Sequence, residues 1–114
     1  FNRLSSLNNL TFEHLNELNE LNLEKNFIKE IDTHAFLPLN NLKSLNLANN
    51  FIYSLNLEFS SLSQLKRLNL DHNTLKRIDF NVLKYLINLE ELYLSNNQIS
   101  KIEYTSSGSP VDVR

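Results

Sequence analysis

The sequence contains no cysteine, tryptophan or methionine, and only one glycine and two prolines in 114 residues. Without cysteine there can be no disulfide, no thiol chemistry and no thiolate metal site. The single glycine, Gly108, excludes a glycine-rich loop that could hold a phosphate group. Eleven basic residues against thirteen acidic ones give a formal charge of −2, which disfavours nucleic acid as a partner. No apolar run approaches the ~20 residues that cross a bilayer, so we expect no direct membrane insertion in this segment.

Leucine and asparagine are abundant instead, at 24 and 19 residues, and they recur with a fixed period. Units begin at Leu18, Leu42, Leu65 and Leu89, with spacings of 24, 23 and 24 residues. Each unit has leucine at positions one, four and six and asparagine at position nine. A period of this length indicates a repeat architecture. The position-nine residues, including the one reached by extending the frame backwards, are Asn2, Asn26, Asn50, Asn73 and Asn97.

The pattern LxxLxLxxNxIxxIxxxxFxxLxx resembles the leucine-rich repeat family in its 24-residue form, over residues 1–102. Phenylalanine near position nineteen (Phe12, Phe36 and, one place early, Phe59) makes it similar to extracellular receptors such as Toll-like receptors, although Leu83 replaces it in the third full unit. The resemblance implies an α/β repeat solenoid. This is a right-handed coil with a short parallel β-sheet on the concave face and an irregular or 3-10 convex side.

The frame also divides the chain. It predicts a partial unit (1–17), full units (18–41, 42–64 and 65–88), a second partial unit (89–102) and a flexible or non-native tail (103–114).

The spacing of the leucines explains why the units must stack. Side chains of a strand alternate between its two faces, so leucines at positions four and six point the same way. A single unit cannot bury that face alone, and neighbouring strands must pair. The position-nine asparagine is the one polar side chain expected inside, where its amide can donate to and accept from backbone groups at the turn. We therefore interpret these asparagines as a structural ladder rather than as ligand contacts.

No catalytic or metal-binding group assembles in the sequence. The histidines His14, His34 and His72 occupy unrelated positions of the repeat, so metal-ligand spacing is missing. The paired carboxylates Glu90 and Glu91 fall on an open sheet, where burial is too slight to favour acid–base catalysis. The sequence therefore predicts a protein that is not an enzyme and needs no cofactor or metal.

The outward face of the strands is the candidate binding surface. Its columns vary in chemistry while the buried columns do not, which predicts that the outward residues tolerate substitution. Phe27 and Phe51 at position ten, with Tyr53 nearby, form a second cluster at the lateral edge; they either pack over the ladder or contact a partner. The ligand-binding candidates from both surfaces are Lys43, Lys66, Arg67, Asn69, Tyr93 and Phe51.

The resemblance suggests a compartment and a function. It implies an extracellular or cell-surface ectodomain, and the acceptor sequence at Asn9 predicts a glycan on the flank. The cysteine-bearing caps usual in such ectodomains are missing, so we expect a piece of a longer protein, with possible self-association through uncapped ends. The function implied is a non-enzymatic protein-recognition module of a receptor or secreted binder in innate immunity or cell adhesion. A structural or matrix spacer and an intracellular scaffold are the alternatives.

Overall fold

The computed structural model describes residues 3–79, 81–103 and 112–113, and within them the chain winds as a solenoid of short parallel strands. None of these residues belongs to a helix long and apolar enough to cross a membrane. One 3-10 helix, Leu57–Phe59, is present in this part of the chain. The strands are β1 (Ser6–Leu7), β2 (Glu20–Asn22), β3 (Glu30–Ile31), β4 (Ser44–Asn46), β5 (Arg67–Asn69), β6 (Arg77–Asp79), β7 (Glu91–Tyr93), β8 (Lys101–Glu103) and β9 (Asp112–Val113).

The main sheet contains β2, β4, β5, β7 and β9 in that order, all parallel. Its register places the position-four leucines side by side, as the repeat frame predicted: Leu21 pairs with Leu45, Leu45 with Leu68, and Leu68 with Leu92. The last three of these leucines are fully buried. Burial of one leucine per strand fixes the register, because a slip of one residue would turn every side chain to the other face.

The core continues behind the sheet to a spine of phenylalanines. The rings of Phe12 and Phe36 stack at a centroid distance of 5.9 Å, and those of Phe36 and Phe59 lie 5.6 Å apart. Leu83 is also buried, at 6% exposure, so it replaces the missing phenylalanine in the third full unit. The expected spine therefore forms in spite of that substitution.

A second row of strands, which the sequence did not predict, lies after the turn. β1 pairs with β3, and β6 pairs with β8, in two separate parallel sheets. The row is interrupted in unit 42–64, which is one residue shorter than its neighbours. There the chain forms the 3-10 helix Leu57–Phe59, closed by a hydrogen bond from the Ser60 N–H to the Leu57 carbonyl. A 3-10 turn is tighter than an α-helical one and suits the shorter path to Phe59.

Position eight of the four units that begin at Leu18, Leu42, Leu65 and Leu89 adopts a left-handed backbone. The φ angles of Lys25, Asn49, His72 and Asn96 are 60, 59, 56 and 57°. Asparagine tolerates this region, whereas lysine and histidine adopt it at a cost of about 1 to 2 kcal/mol. The turn leads directly into the buried asparagine at position nine, so we infer that the ladder is what maintains this strained conformation.

One further strand is described within the segment predicted to be a flexible or non-native tail. β9 extends the main sheet, with Asp112 opposite Glu91 and Val113 opposite Leu92. Residues 104–111 and Asn2, the first expected member of the ladder, lie outside the described residues.

Candidate functional site

The position-nine asparagines use their hydrogen-bonding capacity inside the solenoid. The Asn50 amide nitrogen lies 3.0 Å from the carbonyl oxygens of both Leu23 and Leu47 and 3.2 Å from that of Ala48. Its oxygen accepts the Ile28 N–H at 3.0 Å. Asn50 thus joins its own unit to the preceding one and has no polar group left for a ligand. The same pattern holds at Asn73 and Asn97, whereas Asn26 is joined to the preceding unit through its oxygen, which accepts the Leu4 N–H.

The concave face brings most of the candidate binding residues onto neighbouring strands. Arg67 lies opposite Glu91, and Asn69 lies opposite Tyr93. Lys66 precedes β5, and its N–H donates to the carbonyl of Lys43, so these two lysines are also neighbours. Both lysines and Arg67 are exposed, whereas Asn69 and Tyr93 are half-buried.

Arg67 is held by an ion pair that the sequence analysis missed. Its Nε and Nη2 atoms both lie 3.0 Å from Glu91 Oε1, and the Tyr93 hydroxyl donates to Glu91 Oε2 at 2.8 Å. The Arg67 guanidinium carbon lies 5.9 Å from the centroid of the Tyr93 ring. These three residues, the concave cluster, are ordered by one another. Because Glu91 compensates the charge of Arg67, the positive charge of this surface rests mainly on Lys43 and Lys66.

The asparagines at position five cap the turn that follows each strand. The side-chain oxygens of Asn22, Asn46 and Asn69 accept the N–H groups two residues later, each at 2.9 Å. Such local side-chain to backbone bonds are typical of asparagine at turns. These bonds argue against free substitution of these three outward asparagines. Asn69, a candidate ligand contact, has a structural role through its bond to the Asp71 N–H.

We predict that Asn69→Ala lowers the free energy of unfolding by about 0.5 to 1.5 kcal/mol, the usual net contribution of one hydrogen bond. Urea titration of the folded chain measures this difference. Lys66→Ala is the matched control, since this exposed neighbour should stay within ~0.5 kcal/mol of the unsubstituted chain. Equal stabilities of the two variants would show that the turn does not need the Asn69 side chain.

The lateral edge carries exposed aromatic side chains. The rings of Phe27 and Phe51 stack at a centroid distance of 6.1 Å with 13° between their planes. They remain 43% and 44% exposed, and Tyr53 is 50% exposed. The two phenylalanines thus pack on each other and still present an apolar surface. We call Phe27, Phe51 and Tyr53 the aromatic edge.

Glu58 is a buried carboxylate that the sequence analysis did not single out. It is only 3% exposed, and its Oε1 accepts the Asn56 N–H at 3.0 Å. Burial raises the pKa of the Glu58 carboxyl above its usual 4.5, and the hydrogen bond from Asn56 opposes this shift only in part. A cavity of about 170 Å³ adjoins Glu58 at the interruption of the second strand row. The only sign of this irregularity in the sequence is that unit 42–64 is one residue shorter than its neighbours.

The raised pKa of Glu58 predicts how stability depends on pH. As the pH rises above 4.5, the unfolded chain releases this proton before the folded chain does, so Glu58 lowers the free energy of unfolding over that window. Glu58→Gln removes the titration and keeps an oxygen that can accept the Asn56 N–H. We expect the variant to gain stability relative to the unsubstituted chain between pH 4 and 7, measured by urea titration at each pH. A constant difference across this range would contradict a raised pKa.

The histidines lie apart. His14 and His34 are exposed and approach only their local carboxylates, at 3.7 Å from Glu13 and 3.8 Å from Asp32. His72 Nε2 lies 3.1 Å from the amide nitrogen of Asn96. In the described ranges, no group of three or more histidine, cysteine or acidic residues could hold a metal ion.

Comparison with known proteins matches the repeats to a family. The family model described as "Leucine rich repeat" matches residues 1–52, 40–99 and 63–110. Comparison with curated protein sequences gives no match.

Solved structures with the same fold come from several organisms. The structure of TLR13 in complex with ssRNA13 is 43% identical, with a TM-score of 0.81, and the match covers 86% of this chain and 14% of TLR13. The LRR protein LIC12759 of Leptospira interrogans is 34% identical, with a TM-score of 0.76, over 86% of this chain and 24% of that protein. The structure of the Drosophila Toll–Spatzle complex contains a chain that is 18% identical, with a TM-score of 0.61. This match covers 90% of the present chain and 19% of the chain in that complex, and it shows that the fold is shared.

Proposed function

Because the chain belongs to the leucine-rich repeat family, whose members are generally non-enzymatic recognition proteins, we propose that it binds a protein partner through its concave face. We further propose that it is a segment of an extracellular receptor or secreted binding protein in innate immunity or cell adhesion. The chain spans only 14% of TLR13 and 24% of the Leptospira protein, so a whole protein of that kind would offer many more units.

The concave cluster is the observation that supports this proposal most. The ion pair to Glu91 and the hydroxyl bond fix Arg67 and Tyr93 before any partner arrives. Residues that are already ordered lose little conformational entropy on binding, and tyrosine and arginine are frequent anchors of protein interfaces. Lys43 and Lys66 stand beside the cluster and favour an acidic patch on the partner.

The described strands provide a narrow surface. The strands from β2 to β7 span roughly 15 Å at the usual spacing of a sheet. A standard interface covers about 800 Å² per partner and therefore needs further repeat units. We expect this segment alone to bind weakly, with the concave cluster as an anchor of a larger contact.

Single-stranded RNA is a second candidate ligand, because the 43%-identical structure is that of TLR13 with ssRNA13. Affinity for nucleic acid rests largely on lysine and arginine contacts to phosphates. The net charge of −2 and the pairing of Arg67 with Glu91 oppose that mode of binding in this segment. We therefore favour a protein partner.

A phage-displayed library of random peptides, selected on the chain, tests the choice of surface. Peptides that bind the concave face should lose affinity for the Lys66→Glu variant and keep it for Lys84→Glu, a matched charge reversal in the turn at residues 81–85. Fluorescent single-stranded RNA is titrated in parallel at about 0.15 M salt. The proposal would be contradicted if RNA bound the unsubstituted chain but not Lys66→Glu, and no selected peptide lost affinity for Lys66→Glu. RNA would then be the ligand of the concave face instead of a protein.

A glycan on Asn9 would support the extracellular assignment. Asn9 is exposed, and the neighbouring Asn8 shapes the acceptor sequence by accepting the Leu10 N–H at 2.8 Å and the Thr11 hydroxyl at 3.3 Å. We predict that Asn9 is glycosylated when the chain passes through a eukaryotic secretory pathway, and that Thr11→Ala abolishes the modification. Mass spectrometry of the secreted chain measures occupancy. An unmodified Asn9 would remove this support and leave the matrix spacer and the intracellular scaffold as equal alternatives.

A further inference from the structure

The lateral edge contains a cavity because the repeat is irregular there. Neighbouring units contribute β3 and β6 to the second strand row, whereas unit 42–64 contributes no strand to it. The cavity of about 170 Å³ opens at this gap. It is smaller than the ~300 Å³ at which pockets for drug-sized ligands begin. A space of this size suits one side chain or a few water molecules.

The lining of the cavity combines an acid with mostly polar walls. The buried Glu58 carboxylate forms part of the wall, together with Ser54 and Asn56, and Tyr53 contributes an exposed ring. Lys29 and Glu30 also line it, and both are exposed to solvent. Their charges balance each other, so Glu58 carries the net charge of the cavity.

The cavity is continuous with the aromatic edge. Phe51 and Tyr53 are exposed while Ile52 between them is buried, as expected for an extended segment whose alternate side chains point the same way. Phe27 extends this surface by stacking on Phe51. The result is an apolar surface that leads to a single negatively charged cavity.

We propose that the aromatic edge and this cavity form an anchor site for one basic side chain, arginine or lysine, of a protein partner. The cationic head would pair with Glu58, and the aliphatic stem would lie against the exposed Tyr53 ring. A carboxylate can accept about four hydrogen bonds, so the bonds from the backbone N–H groups of Asn56 and Glu58 leave room for a partner.

Other occupants fit this chemistry less well. An apolar side chain would complete the burial of the carboxylate without offering it a partner, and an acidic side chain would be repelled. A basic side chain is the one type that compensates the charge of Glu58 and whose aliphatic stem can also cover the aromatic edge. Basic anchors in pockets are common among the residues that dominate interface energetics, arginine above all.

This site is separate from the concave cluster, so its test is independent of the proposed function. The probe is the blocked tripeptide acetyl-Gly-Arg-Gly-amide, with acetyl-Gly-Leu-Gly-amide as the matched apolar peptide. Each is titrated into the isotope-labelled chain while its backbone amide NMR signals are followed. We expect the arginine peptide to shift the amides of Tyr53, Asn56 and Glu58 with a dissociation constant in the millimolar range, and the leucine peptide to leave them unchanged.

Variants identify the groups responsible. Glu58→Gln should weaken binding of the arginine peptide about tenfold, since it removes the charge from the acceptor. Tyr53→Ala should also weaken it, whereas Tyr85→Ala is the control, because Tyr85 is a comparably exposed tyrosine elsewhere on the chain. Lys29→Gln should strengthen binding by removing a like charge. Unchanged signals of β5 and β7 verify that each variant is folded.

Three results would overturn the anchor site. They are the absence of shifts around the cavity with the arginine peptide, equal shifts with the leucine peptide, and undiminished binding in both Glu58→Gln and Tyr53→Ala. Lys66→Glu on the concave face should leave the titration unchanged, so the two surfaces can fail separately.

Discussion

Replacing Asn50 by alanine is expected to lower the free energy of unfolding by about 3 kcal/mol or more. The substitution leaves the buried Ile28 N–H without its partner and removes one of the two side-chain donors to each of the carbonyls of Leu23 and Leu47. Each unsatisfied buried group costs about 1 to 3 kcal/mol, although some of this is recovered where water can enter. Urea titration followed by circular dichroism measures the loss.

Two further variants make the test of the ladder specific. Asn40→Ala removes an exposed asparagine and should change stability by no more than ~0.5 kcal/mol. Asn50→Asp keeps the size of the side chain but cannot donate to the carbonyls at neutral pH, so it should be as damaging as alanine. If Asn50→Ala behaved like Asn40→Ala, hydrogen bonding by the ladder would not be a major source of stability.

Leu68→Ala is expected to cost about 2 to 5 kcal/mol, the range for a fully buried leucine that leaves a cavity. Leu68 lies on the middle strand of the main sheet, between Leu45 and Leu92. In a repeat array each unit is stabilised only by its neighbours, so a defect here affects the units on both sides. Thermal and urea unfolding should therefore both shift to milder conditions. A loss no larger than that of Lys66→Ala would contradict the assignment of the buried face.

The fold was predictable because its main determinants repeat along the chain. Leucines at fixed offsets define one face of each strand, and the recurrence of asparagine at position nine indicates a common buried turn. These signals specify the main sheet, its register and the ladder without knowledge of distant contacts. The sequence could not indicate the second strand row, because β1 and β3 contain two residues each and owe their extended form to pairing.

The candidate sites were less predictable because they depend on contacts between units. The sequence analysis treated Arg67 as a binding candidate and Glu91 as one of two adjacent carboxylates, yet they occupy the same position in successive units and lie opposite each other in the sheet. Comparing equivalent positions across units would have found this pair. The burial of Glu58 has no counterpart in other units, since it follows from the shorter path of unit 42–64 and the 3-10 helix formed there. A single irregular unit gives no repeated pattern from which to predict it.

Measuring folding and binding on the same set of variants is the most direct test of whether recognition and folding depend on different residues. Substitutions of Lys43, Lys66, Arg67, Tyr93, Leu45 and Leu68 are displayed on yeast, with protease resistance as the measure of folding and a concave-face peptide from the phage selection as the ligand. We expect the first four positions to lose peptide binding while they retain protease resistance, and the two leucines to lose both. Loss of binding only in variants that also lose protease resistance would contradict a recognition role for the concave face.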